Sequence, residues 1–159
     1  MMEHLVRIAH HAVASGDDSI VTVGLGSCVA IAVHDVHAKV GGLAHVLLPD
    51  MLVGRSSDNR AKYASTAVPL LLADMRAIGA QGPFVAKIAG GARLFGDLLG
   101  GRANGMGPRN VDAVRAALAA AEVPIAAEDV GGESGRSVRF DVASGAMTVR
   151  TVRGGAHVL

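Results

Sequence analysis

The sequence predicts an α+β fold with a mixed or antiparallel sheet system and two main helices. Three observations carry this. Short β-branched and apolar runs outnumber helical patterns, the runs come in groups, and two stretches with apolar residues at helical spacing lie between the groups.

Taken in order, Ser15-Gly16-Asp17-Asp18 reads as a turn leading into a strand over residues 19–25. Gly24-Leu25-Gly26-Ser27 reads as a sharp turn or bulge, because two glycines weaken a regular strand. A second strand is expected over 28–33 and a third over 40–48, closed by Pro49. After a polar loop over 54–59, Ala64, Ala67, Leu71 and Met75 fall at helical spacing and predict a helix over 60–78. Pro69 either kinks that helix or sits near its first turn if the helix starts late. A short strand over 84–88 runs into Gly90-Gly91, and a glycine-rich loop over 96–107 follows. The second helix is expected over 109–121, with Val111, Val114, Leu118 and Ala121 on one stripe and Pro108 at its first position. Strands over 125–130, 137–142 and 147–152 close the pattern, separated by Gly131-Gly132 and Ser144-Gly145.

Composition narrows the function classes. The 159 residues suit one domain, 1–159, with no linker or repeat to divide it. One cysteine, Cys28, leaves no disulfide framework and no multi-cysteine zinc or iron–sulfur site. Fifteen Lys and Arg against 14 Asp and Glu give a net charge of +1, which argues against a nucleic-acid footprint. Aromatic residues at 3 %, with no Trp, argue against a base-stacking platform. The mean hydropathy of +0.39 raises the question of a membrane. The longest uncharged run, 19–34, falls short of the roughly 20 apolar residues a spanning helix needs and holds Thr22, Ser27 and His34. With no basic region and apolar stretch at Met1-Met2-Glu3-His4, the expectation is a cytoplasmic protein without membrane insertion.

Chemistry is expected first at Cys28. A lone cysteine is more often an inert, buried small hydrophobe, but two local facts shift the balance. Cys28 follows a glycine-bounded turn, where the backbone N–H groups of Gly26 and Ser27 can converge on an oxyanion. In addition, a hairpin through residues 34–39 brings it beside His45, seventeen residues on. His45 lies among apolar neighbours, where an imidazole is costly unless its nitrogens have partners; a satisfied core histidine is the bland alternative. Thr22, six residues before Cys28, offers a hydroxyl to orient that imidazole, though it is equally an ordinary strand residue. Other signals are weaker. His34 and His37 are read as solvated turn residues ahead of a metal site, and His10-His11 as a surface pair. Gly24-x-Gly26 lacks the third glycine of a dinucleotide fingerprint. Gly90-Gly91-Ala92-Arg93 and Gly100-Gly101-Arg102 are read as turns ahead of anion sites. No cofactor or metal is expected.

At these residues the sequence resembles the chemoreceptor glutamine deamidase family, CheD. The resemblance rests on Gly24-Leu25-Gly26-Ser27-Cys28-Val29, then Ala44-His45-Val46-Leu47-Leu48-Pro49, Lys62-Tyr63-Ala64, Ala86-Lys87-Ile88-Ala89-Gly90-Gly91-Ala92, Gly107-Pro108-Arg109-Asn110-Val111 and Gly131-Gly132-Glu133-Ser134-Gly135-Arg136, in that order. It implies Cys28 as nucleophile, His45 as catalytic histidine and Thr22 as third member. It also implies hydrolysis of glutamine side-chain amides on methyl-accepting chemotaxis receptors, related action on receptor methyl esters, and binding to a CheC-type phosphatase. The implied fold resembles the cytotoxic necrotizing factor-like cysteine hydrolases, a β-sandwich-like core flanked by helices. Arg93-Leu94 and Pro108 depart from the family pattern at the rim of the site. A non-catalytic binding module for receptors or a phosphatase stays open beside the enzyme, as does, further off, a metal hydrolase using His34 and His37.

Overall fold

The computed structural model of the chain describes residues 1–50, 59–93 and 105–159. The loop expected over 54–59 lies almost wholly outside the described residues, as do Gly100-Gly101-Arg102 and most of the loop expected over 96–107. The described strands are β1 (Glu3–Val6), β2 (His11–Ser15), β3 (Ser19–Leu25), β4 (Val29–Asp35), β5 (Val40–Val46), β6 (Val85–Gly90), β7 (Ile125–Val130), β8 (Arg136–Asp141), β9 (Met147–Thr151) and β10 (Ala156–Val158). The helices are α1 (Ala64–Ala77) and α2 (Met106–Ala120). The strands form two sheets, ordered β1-β3-β8-β9-β10 and β2-β5-β4-β6-β7. Both are mixed: β1 runs parallel to β3 and β6 parallel to β7, and the other pairs are antiparallel. The class is α+β, as the sequence predicts.

The strand period of two sorts the side chains into layers. Val29, Ile31 and Val33 of β4, with Val40, Ala44 and Val46 of β5, pack with Ala67, Val68, Leu71 and Met75 of α1 and Val114 and Leu118 of α2. The alternate positions Ala30, Ala32 and Leu43 pack with Ile20, Val138, Phe140 and Val149 of the first sheet. The second sheet therefore lies between the first sheet and the helices. Every residue of β4 and β5 is buried, which is why these strands read as continuous apolar runs rather than alternating ones.

In several places the structure departs from the sequence reading. Strands β1, β2 and β10 have no counterpart in the predicted pattern, because they are short and mostly exposed or half-buried: only Val6 of β1 and Ala14 of β2 are buried. The helix expected over 60–78 is divided into a 3-10 turn (Arg60–Lys62), an extended Tyr63 and α1. Tyr63 bridges Leu48, and the Lys62 carbonyl accepts the N–H groups of Leu47 and Leu48, so this backbone is committed to the end of β5. Pro69 is inside α1, past its first turn, on an exposed position; the Ser65 carbonyl it leaves without a helical donor belongs to an exposed residue too. Helix α2 starts at Met106, so Gly107 is helical and Pro108 is its third residue rather than its first. His34 is not a solvated turn residue. It is the sixth residue of β4, 6 % exposed, edge-on to Phe140, and its Nε2–H donates to the Val142 carbonyl at 2.9 Å. His37 is exposed in the turn that follows.

That turn is held by Asp35, whose carboxylate accepts the N–H groups of His37 and Ala38 at 3.1 Å and of Gln81 and Gly82 at 2.9 Å. At the other end of β6, Gly90 has φ +115° and a Cβ there would collide with the Cys28 carbonyl. Both facts require glycine. Gly90→Ala is expected to destabilise the fold by ~2–4 kcal/mol, measured by urea unfolding, with loss of the Cys28 turn geometry.

Candidate active site

The turn before Cys28 starts as a bulge. In the pairing of β3 with β8, Thr22 faces Val138 but Leu25 faces Arg136, one residue out of step. Strict alternation from the buried Thr22 would place Gly24 inside; the extra residue places Leu25 there instead, fully buried. Gly24 takes φ +74°, and Gly26 donates to the Gly24 carbonyl at 3.1 Å while its own carbonyl accepts from the Ala92 N–H at 2.8 Å. The Gly91 N–H donates to the Cys28 carbonyl at 2.8 Å and Arg93 N–H to that of Gly132 at 2.9 Å. The N–H groups of Gly91, Ala92 and Arg93 are thus committed to carbonyls, which leaves them no part in holding an anion. Arg136 clamps the same corner: its guanidinium donates to the carbonyls of Gly90 and Gly131 at 3.2 and 2.7 Å and faces the Asp129 carboxylate.

Cys28 directly precedes β4 and belongs to the buried cluster between the sheets, with Ala30 and Ala32. Across the β4–β5 pair His45 faces Ala30, so Cys28 and His45 are diagonal neighbours. His45 is fully buried. Thr22 comes to it from the other sheet, with Thr22 Oγ1 2.7 Å from His45 Nδ1. The single hydroxyl proton of Thr22 is committed to the Val6 carbonyl at 2.6 Å, so the hydroxyl accepts from His45 and Nδ1 carries the imidazole proton. The other nitrogen, Nε2, is left with a free lone pair, buried and without a hydrogen-bond partner. Burial pulls the His45 pKa down to about 4. Burial also pushes the Cys28 thiol up, an effect opposed by its own backbone N–H. Both groups are neutral at pH 7: a thiol beside an unprotonated, tautomer-fixed base.

Gly26 and Ser27, which directly precede Cys28, are half-buried. Two contributors escape the sequence reading. The Val6 carbonyl lies on β1, a strand that sequence patterning does not show. Asn110, in the Gly107-Pro108-Arg109-Asn110 motif, donates from its amide to the carbonyls of Ser27 and Leu47; the motif is visible, but nothing in it tells what the amide touches. Among the described residues no group of three or more His, Cys, Asp or Glu could hold a metal ion. His10 is exposed, and His11 is half-buried against Asp74 at 2.7 Å. No described helix is long and apolar enough to cross a membrane.

Comparison with known proteins gives concordant matches. A family model described as CheD chemotactic sensory transduction matches residues 47–151. A protein of Halalkalibacterium halodurans named chemoreceptor glutamine deamidase CheD is 43 % identical over 152 residues, 94 % of each chain. A protein of the same name from Thermotoga maritima is 42 % identical over 158 residues, 99 % of this chain and 97 % of the relative. One from Bacillus licheniformis is 41 % identical over 156 residues, 97 % of this chain and 93 % of the relative.

Thr22→Val keeps the side-chain shape but strands both the Val6 carbonyl and the His45 N–H. Urea unfolding is expected to show a loss of about 1–3 kcal/mol.

Proposed function

The chain belongs to the CheD family, and we propose that it deamidates glutamine side chains of chemoreceptors to glutamate, releasing ammonia, with Cys28, His45 and Thr22 as its catalytic group. The observation that carries this reading is the Thr22–His45 hydrogen bond, which leaves His45 Nε2 as a buried, unshared lone pair next to the strand position of Cys28. A core histidine with both nitrogens satisfied would have no such atom.

In the proposed mechanism the Cys28 Sγ–H proton passes to His45 Nε2 as sulfur bonds to the carboxamide carbon. The carbonyl oxygen becomes an oxyanion. We assign it to the N–H groups of Ser27 and Cys28, since the Gly26 N–H is held by Gly24 and the Cys28 N–H already lies against its own sulfur. The carbon–nitrogen bond then breaks as His45 returns the proton to nitrogen, and ammonia leaves a thioester. A water gives its proton to His45 and its oxygen to the carbonyl carbon, and the carbon–sulfur bond breaks to give glutamate and the restored thiol. Thr22 keeps Nε2 facing the reaction at each step. Methyl esters of receptor glutamates fit the same sequence, with methanol as leaving group. On this reading residues 1–159 work as one unit related to the cytotoxic necrotizing factor-like cysteine hydrolases, in the cytoplasm, with a CheC-type phosphatase as a further partner.

A second reading, a regulatory binding module without turnover, is favoured by one observation: Cys28 is only 6 % exposed. One experiment separates the two. The protein is incubated with a receptor cytoplasmic domain, and Gln-to-Glu conversion is read by peptide mass spectrometry. Conversion by the wild type and none by Cys28→Ala is expected; receptor binding without conversion supports the module, and undiminished conversion by Cys28→Ala removes the nucleophile assignment.

The pH dependence follows from His45. Its folded pKa lies below the ordinary value of 6.5, so the basic form persists at more acidic pH than for a free imidazole. The acid limb of kcat/KM is expected to have its midpoint near 4, and a midpoint at 6–7 would count against His45 as the base.

A further inference from the structure

The β4–β5 ladder stops at the pair Val29 and Val46. The next residues outward, Cys28 and Leu47, are no longer paired, so the two strands part just where Cys28 and His45 must hold a fixed separation. One side chain spans the gap. Asn110, fully buried in the second turn of α2, donates one Nδ2 hydrogen to the Ser27 carbonyl and the other to the Leu47 carbonyl, each at 3.0 Å. Ser27 directly precedes Cys28, and Leu47 is two residues after His45.

The backbone behind this amide is closely packed. Gly107, one turn earlier in α2, lies so close to the carbonyls of Gly91 and Ala92 that a Cβ would collide with them. The N–H groups of Gly91 and Ala92 in turn hold the carbonyls of Cys28 and Gly26. The helix packs on the Gly91-Ala92 backbone, which is hydrogen-bonded to the nucleophile turn, so the three form one closely packed block. The other end of the amide is telling: Asn110 Oδ1 is buried and has no partner. The oxygen gains nothing from its burial, so what asparagine contributes here is its pair of N–H donors.

We propose that Asn110 is a positioning residue for the deamidation. Its amide replaces the missing rung of the β4–β5 ladder and sets the distance between the Cys28 thiol and the His45 imidazole, without touching substrate. The inference rests on the Cys28–His45 reading above for its kinetic consequence but not for its geometric one.

The test compares wild type with Asn110→Leu, which keeps the heavy-atom count and branching and removes both donors, and Asn110→Asp, which keeps the shape. Deamidation of the receptor domain is followed as separate kcat and KM, and Cys28 alkylation by iodoacetamide is followed as a function of pH without substrate. Asn110→Leu is expected to lower kcat by about 30- to 100-fold with KM changed less than about threefold, as misplacement of reacting groups does. Its alkylation rate is expected to change by about fivefold or more, with a shifted pH midpoint. Asn110→Asp is expected to regain part of the lost kcat as pH falls, because a protonated carboxyl supplies one donor, a trend the wild type lacks. A folded Asn110→Leu with wild-type kcat and wild-type alkylation overturns the proposal, and so does failure of both variants to fold, which makes Asn110 a folding residue. If the wild type does not deamidate receptors, the catalytic reading fails by itself. The alkylation profiles then decide the role of Asn110: a shift upholds it and unchanged profiles reject it.

Discussion

A single hydroxyl joins the two sheets at the site. Thr22 stands on β3 of one sheet and His45 on β5 of the other, and the hydroxyl donates a hydrogen bond to the Val6 carbonyl on β1 while accepting one from the imidazole N–H. A hydroxyl has one proton to give, so the direction of this chain is not adjustable. It decides the tautomer of His45, and therefore which nitrogen is a base. The buried faces of the two sheets, the bulge that sends Leu25 inward after Thr22, and the parallel docking of β1 all serve to bring these three groups into line. The site exists only where the sheets are closed on each other.

The interior also explains why the resting pair is uncharged. A thiolate–imidazolium pair would need water or fixed dipoles to offset the burial of two charges. Between the sheets, burial disfavours the charged form of each group: the His45 pKa falls and that of the thiol rises. A neutral thiol and neutral base suit a substrate whose amide oxygen develops charge only during the reaction. In the proposed mechanism the N–H dipoles of the Ser27–Cys28 turn stabilise a charge that arises only once substrate is in place, and the thiol stays protonated until then.

The parts of this arrangement legible in the sequence are those with strong local signals. Residues 19–25 announce a strand by β-branching and a bulge by their glycines, and both are present. Apolar runs 28–33 and 40–48 locate β4 and β5, and therefore the juxtaposition of Cys28 with His45. What escaped lacks a local signature. Strand β1 is Glu3-His4-Leu5-Val6, with a single buried side chain, and is a strand because β3 pairs with it. His34 looks like a turn residue from its neighbours Asp35 and His37, yet the first sheet covers it through Val142 and Phe140, more than a hundred residues away. Likewise no spacing rule connects Asn110 to Ser27 and Leu47; only the docking of α2 against the glycine pair does.

Asp35 closes the β4–β5 hairpin at the end farthest from the site, with four backbone N–H groups on one carboxylate. A strand that slips by one residue exchanges its two faces. In β5 such a slip would turn His45 away from Thr22 toward the helices and send Val46 or Ala44 to the interface in its place. Because β4 and β5 are apolar on both faces, the hydrophobic pattern alone discriminates weakly between the two registers. The carboxylate, tied at once to the hairpin turn and to the segment after α1, breaks that degeneracy: it is the index mark from which the position of the imidazole is counted.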